Sequence, residues 1–291
     1  MQLNNANEVG STAPPPVRTS VAMCTYNGET YLREQIESIL RQSVKVDEIV
    51  VADDASTDRT RALLEGYRDE RPHLFRLFFR DTNFGAIDNF GFAVEQCRGE
   101  VIFLCDQDDV WQPRKVELVL ERFRNPRCLM LFTDGRLIDA TGEQLKLRLW
   151  QRFRFSHFRQ FLWRRVPGAA CLDLLSNNNK VTGATVALHK RLLAHALPIS
   201  LLPYGYWHDA WFALHAAAND GLEFGADCLI DYRVHAKQQV GIKTAIGSSS
   251  RPTISHEEFV HWFNGRYPVV GKRATRLRVL QDLRARVIPR K

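Results

Sequence analysis

Apolar and polar residues alternate along this chain in blocks whose period switches between two and about three and a half. Val17 to Thr25 alternates loosely and runs into Tyr26-Asn27-Gly28, the pattern of a strand entering a turn. Leu32, Ile36, Ile39 and Leu40 then recur at helical spacing, with Asn27 or Thr30 as the cap. The same pair of periods repeats downstream. Strands are expected over 48–52, 74–79 and 101–105, and the intervening helices carry Ala62, Leu63, Leu64 and Tyr67, then Ile87, Phe90, Val94 and Cys97. A helix over 113–124 leads to a fifth strand over 128–132 that ends at Thr133-Asp134. Beyond it, 180–188 reads as a strand interrupted at Gly183, the run through Trp211, Phe212, Leu214 and His215 as a helix, and 228–234 as a last strand.

Strands alternating with helices predict an α/β fold around a mostly parallel, doubly wound sheet. Ligands of such sheets bind beyond the C-terminal ends of the strands. Asp54, Asp108 and Asp134 each follow an expected strand, so the pattern places three carboxylates on one edge. The densest chemistry follows the apolar run Val101-Ile102-Phe103-Leu104-Cys105, where Asp106, Asp108 and Asp109 come within four positions. Like charges so close raise the cost of ionising one another unless a cation joins them. Mg²⁺ and Mn²⁺ take oxygen ligands of this kind, together with phosphate and water. A solvated acidic turn at the start of the next helix explains the same residues without a metal. Asp209 likewise reads as a helix-capping aspartate, and His235, at the end of the last strand, as a structural histidine. No strand is followed by GxGxxG, and GxxxxGK[ST] is absent. A phosphate-bearing ligand would therefore have to be met by metal and basic side chains.

Composition narrows the class. At 291 residues, 45% hydrophobic and 25% charged, the chain suits one large α/β domain or two modest ones. The six cysteines form no CxxC pair and read as buried thiols of a reducing compartment. No apolar run approaches the length of a membrane span, and residues 1–17 read as a disordered polar tail without a signal core. The net charge of +7 is unevenly spread. Between Glu143 and Asp173 there is no acid, while Lys146, Arg148, Arg152, Arg154, Arg159, Arg164 and Arg165 are interleaved with Trp150, Phe153, Phe155, Phe158, Phe161 and Trp163. Such a stretch suits an anionic membrane surface, nucleic acid or a phosphorylated ligand. Aromatics packed in a core beneath a basic rim would look the same.

Three segments together carry a resemblance: Val21-Ala22-Met23-Cys24-Thr25-Tyr26-Asn27-Gly28, Val50-Val51-Ala52-Asp53-Asp54-Ala55-Ser56-Thr57-Asp58 and Asp106-Gln107-Asp108-Asp109-Val110-Trp111-Gln112-Pro113. They resemble family 2 glycosyltransferases of the GT-A fold. Asn178-Asn179-Lys180-Val181-Thr182-Gly183, His208-Asp209-Ala210-Trp211 and Tyr232-Arg233-Val234-His235 are similar to the rhamnosyltransferase-like subgroup of bacterial surface polysaccharide synthesis. The resemblance implies a GT-A domain over 18–241, with a nucleotide-sugar half over 18–135 and an acceptor half over 136–241. Residues 242–291 would form a basic, helical C-terminal extension. It further implies inverting transfer of a sugar, rhamnose being one candidate, from a nucleoside-diphosphate donor to a saccharide or lipid-linked acceptor, aided by Mg²⁺ or Mn²⁺.

Carried residue by residue, the resemblance has Cys24, Thr25 and Tyr26 lining the nucleotide pocket. Asp54 would bond the pyrimidine ring and Asp106 the ribose region. Asp108, second acid of the Asp106-Gln107-Asp108 motif, would bind the metal. Asp209 would be the catalytic base, and His235 a further metal or phosphate contact. The implied location is cytoplasmic, at the inner face of the plasma membrane. Two departures stand out. Gln238 replaces a common Asn, and Ala55 replaces the usual Gly, a mild change unless the backbone there needs positive φ. No QxxRW signature occurs, which implies one sugar added per encounter. Two other readings fit parts of the chain. A metal-dependent nucleotidyltransferase would show a Gly-rich basic signature near the N-terminus, which is missing. A nucleic-acid-binding protein using residues 146–165 would show a recognised motif, so no nucleic-acid partner is expected.

Overall fold

The computed structural model describes residues 17–199, 202–203, 206–236, 254–273 and 277. The polar tail up to residue 16, Gln238 and more than half of the basic extension lie outside the described residues. The first half follows the expected alternation: β1 (Thr19–Thr25), α1 (Leu32–Leu40), β2 (Glu48–Asp53), α2 (Thr60–Glu70), β3 (Phe75–Phe79), α3 (Ala86–Gln96) and β4 (Val101–Cys105). The chain continues through β5 (Val110–Trp111), α4 (Lys115–Phe123), β6 (Met130–Ile138), β7 (Gln144–Arg148), α5 (Leu149–Arg152), α6 (His157–Arg165) and α7 (Ala169–Leu175). The described elements close with β8 (Val186–His189), α8 (Leu193–Ala196), α9 (His208–Ala218), β9 (Leu222–Arg233) and α10 (His256–Arg266).

The strands form one sheet in the order β3-β2-β1-β4-β8-β6-β9-β5, with β7 paired to β6. β3, β2, β1 and β4 are mutually parallel, as are β6 and β9. β8 runs antiparallel to both of its neighbours, β4 and β6. Because the reversal happens twice, β6 and β9 point the same way as the first four strands. Every residue of β1, β2 and β4 is buried. That is why these segments read as unbroken Val/Ile/Leu runs: helices cover both faces of a parallel sheet.

Several local expectations shift. Asp134 lies inside β6, which continues to Ile138, and is not beyond a strand end. Its Oδ1 accepts from the N–H groups of Gly135 (2.8 Å) and Trp150 (3.0 Å), so it pins α5 to β6 and takes no part in the ligand edge. Residues 183–185 form a 3₁₀ turn ahead of β8 where a continuous strand was expected. Helix α1 has Tyr31 at its N-cap, without a side-chain cap. Asn27 instead accepts from the Thr57 N–H at 2.8 Å, joining the loops after β1 and β2.

The basic aromatic stretch divides into two populations. Trp150 and Phe155 are buried, and with Phe132, Trp163 and Phe224 they form a cluster with ring centroids 4.9–6.4 Å apart. Phe158 and Phe161, on α6, are 67% and 58% exposed. Arg159 is committed to Asp173 at 2.6 Å. Within the extension, α10 opens with a capping box between Ser255 and Glu258. It buries Phe259 and Phe263, stacks Trp262 on Trp211 at 5.3 Å, and the Tyr267 hydroxyl just beyond it meets His215 Nδ1 at 2.8 Å. This part of the extension therefore packs against α9. Among the described residues no helix is long and apolar enough to cross a membrane.

Candidate active site

The C-terminal ends of β1, β2 and β4 open on a cavity of about 290 Å³, closed by α3, the 179–183 segment and the start of α9. Cys24, Thr25, Tyr26, Asp54, Asp106, Asp108 and Asp209 all line it. His235 stands behind, with Nε2 2.8 Å from Asp108 Oδ2. The candidate residues named from sequence are thus brought to one place.

The wall formed by Cys24, Thr25, Tyr26 and Asp54 is held by cross-loop hydrogen bonds. Gln107 Oε1 accepts from the Tyr26 N–H (2.8 Å) and its Nε2 donates to the Tyr26 carbonyl (3.0 Å), tying the loop after β4 to the loop after β1. Gly28 makes this possible, because a Cβ there would lie 2.2 Å from Gln107 Oε1. The Thr25 hydroxyl donates to Asp53 Oδ2 at 2.9 Å. Burial, with Asp106 and Asp54 adding to it, pushes the Cys24 thiol well up. It therefore contributes a neutral wall, not a nucleophile. Asp54 accepts from the N–H groups of Phe84 (2.9 Å) and Gly85 (2.8 Å), fixing the entry to α3 as well as facing the cavity. Ala55 has φ +64°. The glycine-to-alanine departure is consequently not mild: an L side chain in the left-handed region costs about 1–2 kcal/mol.

The acidic side is electrostatically crowded. Burial first, then Asp108 and Asp209, push the Asp106 carboxyl up to about 7. Asp109 is 1% exposed and sits behind, raised well above its ordinary range by burial and then by Asp108 and Asp106. Its Oδ1 accepts from the Arg233 N–H at 2.9 Å, while Oδ2 has no partner among the described residues. Two buried cations stand against this charge. Lys115 Nζ donates to the Ala184 carbonyl (2.8 Å) and lies 4.1 Å from the centre of the Trp111 ring; burial lowers its amine to about 8. Arg233 donates through Nε to the Asp108 carbonyl (2.9 Å) and pairs with Glu34.

Carboxylates as crowded as Asp106 and Asp108 on the cavity wall fit a divalent cation. Among the described residues no three His, Cys, Asp or Glu side chains are arranged to hold an ion by themselves. Asp108 and His235, the ligands the resemblance implies, lie 2.8 Å apart and would hold such an ion only with diphosphate oxygens and water completing the shell.

Asp209 is the second residue of α9, with Trp207 at the N-cap. Its Oδ1 accepts from the Ala210 N–H (2.6 Å) and Asn179 Nδ2 (3.1 Å), and the nearby Gly183 N–H also favours the charged carboxylate. Burial outweighs these bonds and pushes the carboxyl up to about 6. Asp209 is thus a first-turn acid of α9 and not its N-cap, and it faces the cavity.

Three contributors escaped the sequence reading. Asn179 was visible only as part of a motif. Lys115 carried a signal, as a cation on the buried face of α4 beside Val116 and Val119. His208, stacked on Phe90 at 4.1 Å, was likewise visible only as part of a motif, beside Asp209.

Comparisons with known proteins agree with this fold. The family model described as "Glycosyl transferase family 2" matches residues 20–175. TuaG of Bacillus subtilis, whose name places it in teichuronic acid biosynthesis, is 34% identical over 128 residues, covering 43% of this chain and 50% of TuaG. In fold, the chain is similar to Staphylococcus aureus TarS 1–349 in complex with UDP-GlcNAc (TM-score 0.55, 19% identity, 76% of this chain and 60% of that one). It is also similar to the Pyrobaculum calidifontis mannosyltransferase PcManGT in complex with GDP-Man and Mn²⁺ (TM-score 0.56, 19% identity, 76% and 58%). Mycobacterial relatives matched over 75% of this chain are themselves spanned to 59% of their length.

Proposed function

Because the chain belongs to glycosyl transferase family 2, we propose that it moves a sugar from a nucleoside-diphosphate donor to a hydroxyl of a saccharide or lipid-linked acceptor, with inversion, in the assembly of a cell-surface polysaccharide. The observation that carries this reading is the convergence of Asp54, Asp106, Asp108 and Asp209 on one cavity at the strand ends. The acceptor hydroxyl attacks the anomeric carbon, its proton passes to Asp209, and the bond from that carbon to the diphosphate oxygen breaks, the electron pair leaving with the nucleoside diphosphate. A general base in hydrogen-bond reach contributes about 10²- to 10⁴-fold. The carboxyl of Asp209, raised to about 6, is ionised at neutral pH yet more basic than an ordinary aspartate. A divalent cation bound by Asp108 and His235 would supply Lewis-acid neutralisation of the diphosphate. Tyr26, held by Gln107, and Asp54 orient the nucleotide, and Asp106 faces the ribose region.

Rhamnose as the sugar and a thymidine nucleotide as its carrier are the finer part of the reading, supported by the His208-Asp209-Ala210-Trp211 and Tyr232-Arg233-Val234-His235 segments. A peripheral position at the cytoplasmic face of the membrane is supported by exposed Phe158 and Phe161 among the arginines of α6, since each Lys or Arg near anionic lipid contributes about 1 kcal/mol. The test is calorimetry of UDP, GDP and dTDP with and without Mn²⁺, followed by NMR of the product anomer formed from the matching sugar nucleotide. Binding of one diphosphate, tightened by Mn²⁺, and an inverted anomer are expected. A protein that binds none of the three is not the transferase described here.

A further inference from the structure

Next to Asp209 lies a buried polar side chain with no hydrogen-bond partner among the described residues. His208 is 7% exposed, and neither Nδ1 nor Nε2 has a hydrogen-bond partner among the described residues. Buried polar atoms are paired in the great majority of cases, and two orphans in one ring are costly to keep. The ring is nevertheless firmly placed. Phe90 stacks on it at 4.1 Å with 20° between the planes, and Gly183 packs so close that a Cβ there would lie 3.0 Å from Nε2. His208 lines the same cavity as Asp108 and Asp209. A second unmatched group stands on the neighbouring wall. Asn89, also lining the cavity, donates through Nδ2 to the Ala52 carbonyl at 2.7 Å and leaves Oδ1 without a partner.

The chemistry of the missing partner can be bounded. Burial drives the imidazole down to about 3, so the ring is neutral at any working pH. A neutral imidazole has one donor nitrogen and one acceptor nitrogen. It is poorly suited to a diphosphate, which calls for cationic donors, and well suited to a hydroxyl, which both donates and accepts. Its place in the chain narrows the choice further. Asp209, the next residue, must reach an acceptor hydroxyl beside the anomeric carbon, so the adjoining space is that of the transferred sugar ring.

We propose that His208 hydrogen-bonds a hydroxyl of the transferred sugar and is a specificity-determining residue for the donor. This rests on the glycosyl-transfer reading and deepens it. Sites built to hydrogen-bond a substrate hydroxyl discriminate strongly, because a substrate lacking it leaves buried groups unpaired.

The experiment compares wild type, His208→Phe and His208→Gln. The phenylalanine keeps the stack on Phe90 and removes both nitrogens, and the glutamine restores a donor and an acceptor. Affinities are measured in Mn²⁺ for UDP, GDP and dTDP and for UDP-N-acetylglucosamine, GDP-mannose and dTDP-rhamnose, so that each base is read with and without a sugar. For the base that wild type prefers, His208→Phe is expected to bind the bare diphosphate as wild type does. It should lose about tenfold or more in Kd for the sugar nucleotide and in kcat/KM, while its Tm rises because two orphaned atoms are gone. His208→Gln is expected to recover part of the sugar affinity. Equal sugar-nucleotide affinity and turnover in His208→Phe and wild type would overturn the assignment. So would an equal loss for the bare diphosphate, which would place His208 in the nucleotide pocket or in a purely structural role. If wild type binds no nucleoside diphosphate, the donor-site reading fails first and this assignment with it.

Discussion

Replacing Asp209 by asparagine should break catalysis and strengthen the fold at the same time. Burial pushes the carboxyl of the folded protein up to about 6 from an ordinary value of 3.8. By proton linkage the buried charge therefore costs about 3 kcal/mol once fully ionised. The sign follows from proton counting. Between about pH 4 and 6 the folded protein binds more protons at this site than the unfolded chain, so stability falls as pH rises through that window and the full cost is present above it. Asparagine resembles the protonated acid, keeping an acceptor toward Ala210 and Asn179 while removing the charge. It also relieves Asp106, whose carboxyl Asp209 helps to push up.

Two assays read the two consequences. Metal-free thermal melts at pH 4 and pH 7.5 should show Asp209→Asn gaining up to about 3 kcal/mol over wild type at the higher pH and little at the lower. Transfer from the preferred sugar nucleotide should fall by about 10²- to 10⁴-fold, with diphosphate affinity in Mn²⁺ retained. Wild-type kcat/KM should rise with pH through about 6 as the base ionises. Normal turnover by the variant would show that another group takes the proton. A melt at pH 7.5 equal to or below that of wild type would show that the buried charge costs nothing.

Asp108→Asn should abolish the tightening of diphosphate binding by Mn²⁺, and wild type in EDTA should lose transfer; full activity in EDTA would remove the metal from the account. Ala55→Gly should raise stability by about 0.5–1 kcal/mol, since relief of about 1–2 kcal/mol of left-handed strain outweighs the greater entropy of glycine in the unfolded chain; an unchanged or lower melting temperature would refute that strain. Phe158→Ser with Phe161→Ser should weaken flotation with vesicles containing anionic phosphatidylglycerol without changing activity on a water-soluble acceptor, the two side chains being 67% and 58% exposed. Equal flotation of variant and wild type would leave α6 without a membrane role.

Local pattern carried a good deal of this protein. The alternation of period two with helical spacing located β1 to β4 and their helices, because buried parallel strands must be apolar throughout and surface helices on one face only. Asp54 and Asp108 fell just beyond strand ends for the same reason, and that put them on the ligand edge. Pattern could not show that β8 inserts antiparallel between β4 and β6, since partner choice rests on contacts between residues far apart in the chain. That insertion shapes the site, for the 3₁₀ turn just before β8 packs Gly183 against His208 and Asp209. It was tertiary packing that withdrew Asp134 into β6 and divided the aromatics of residues 146–165 between core and surface. It also packed Phe90 and Gly183 against His208 without offering either nitrogen a partner among the described residues. Composition and spacing state which groups a chain has, whereas burial and long-range pairing, which set each group's charge and neighbours, exist only once the chain has folded.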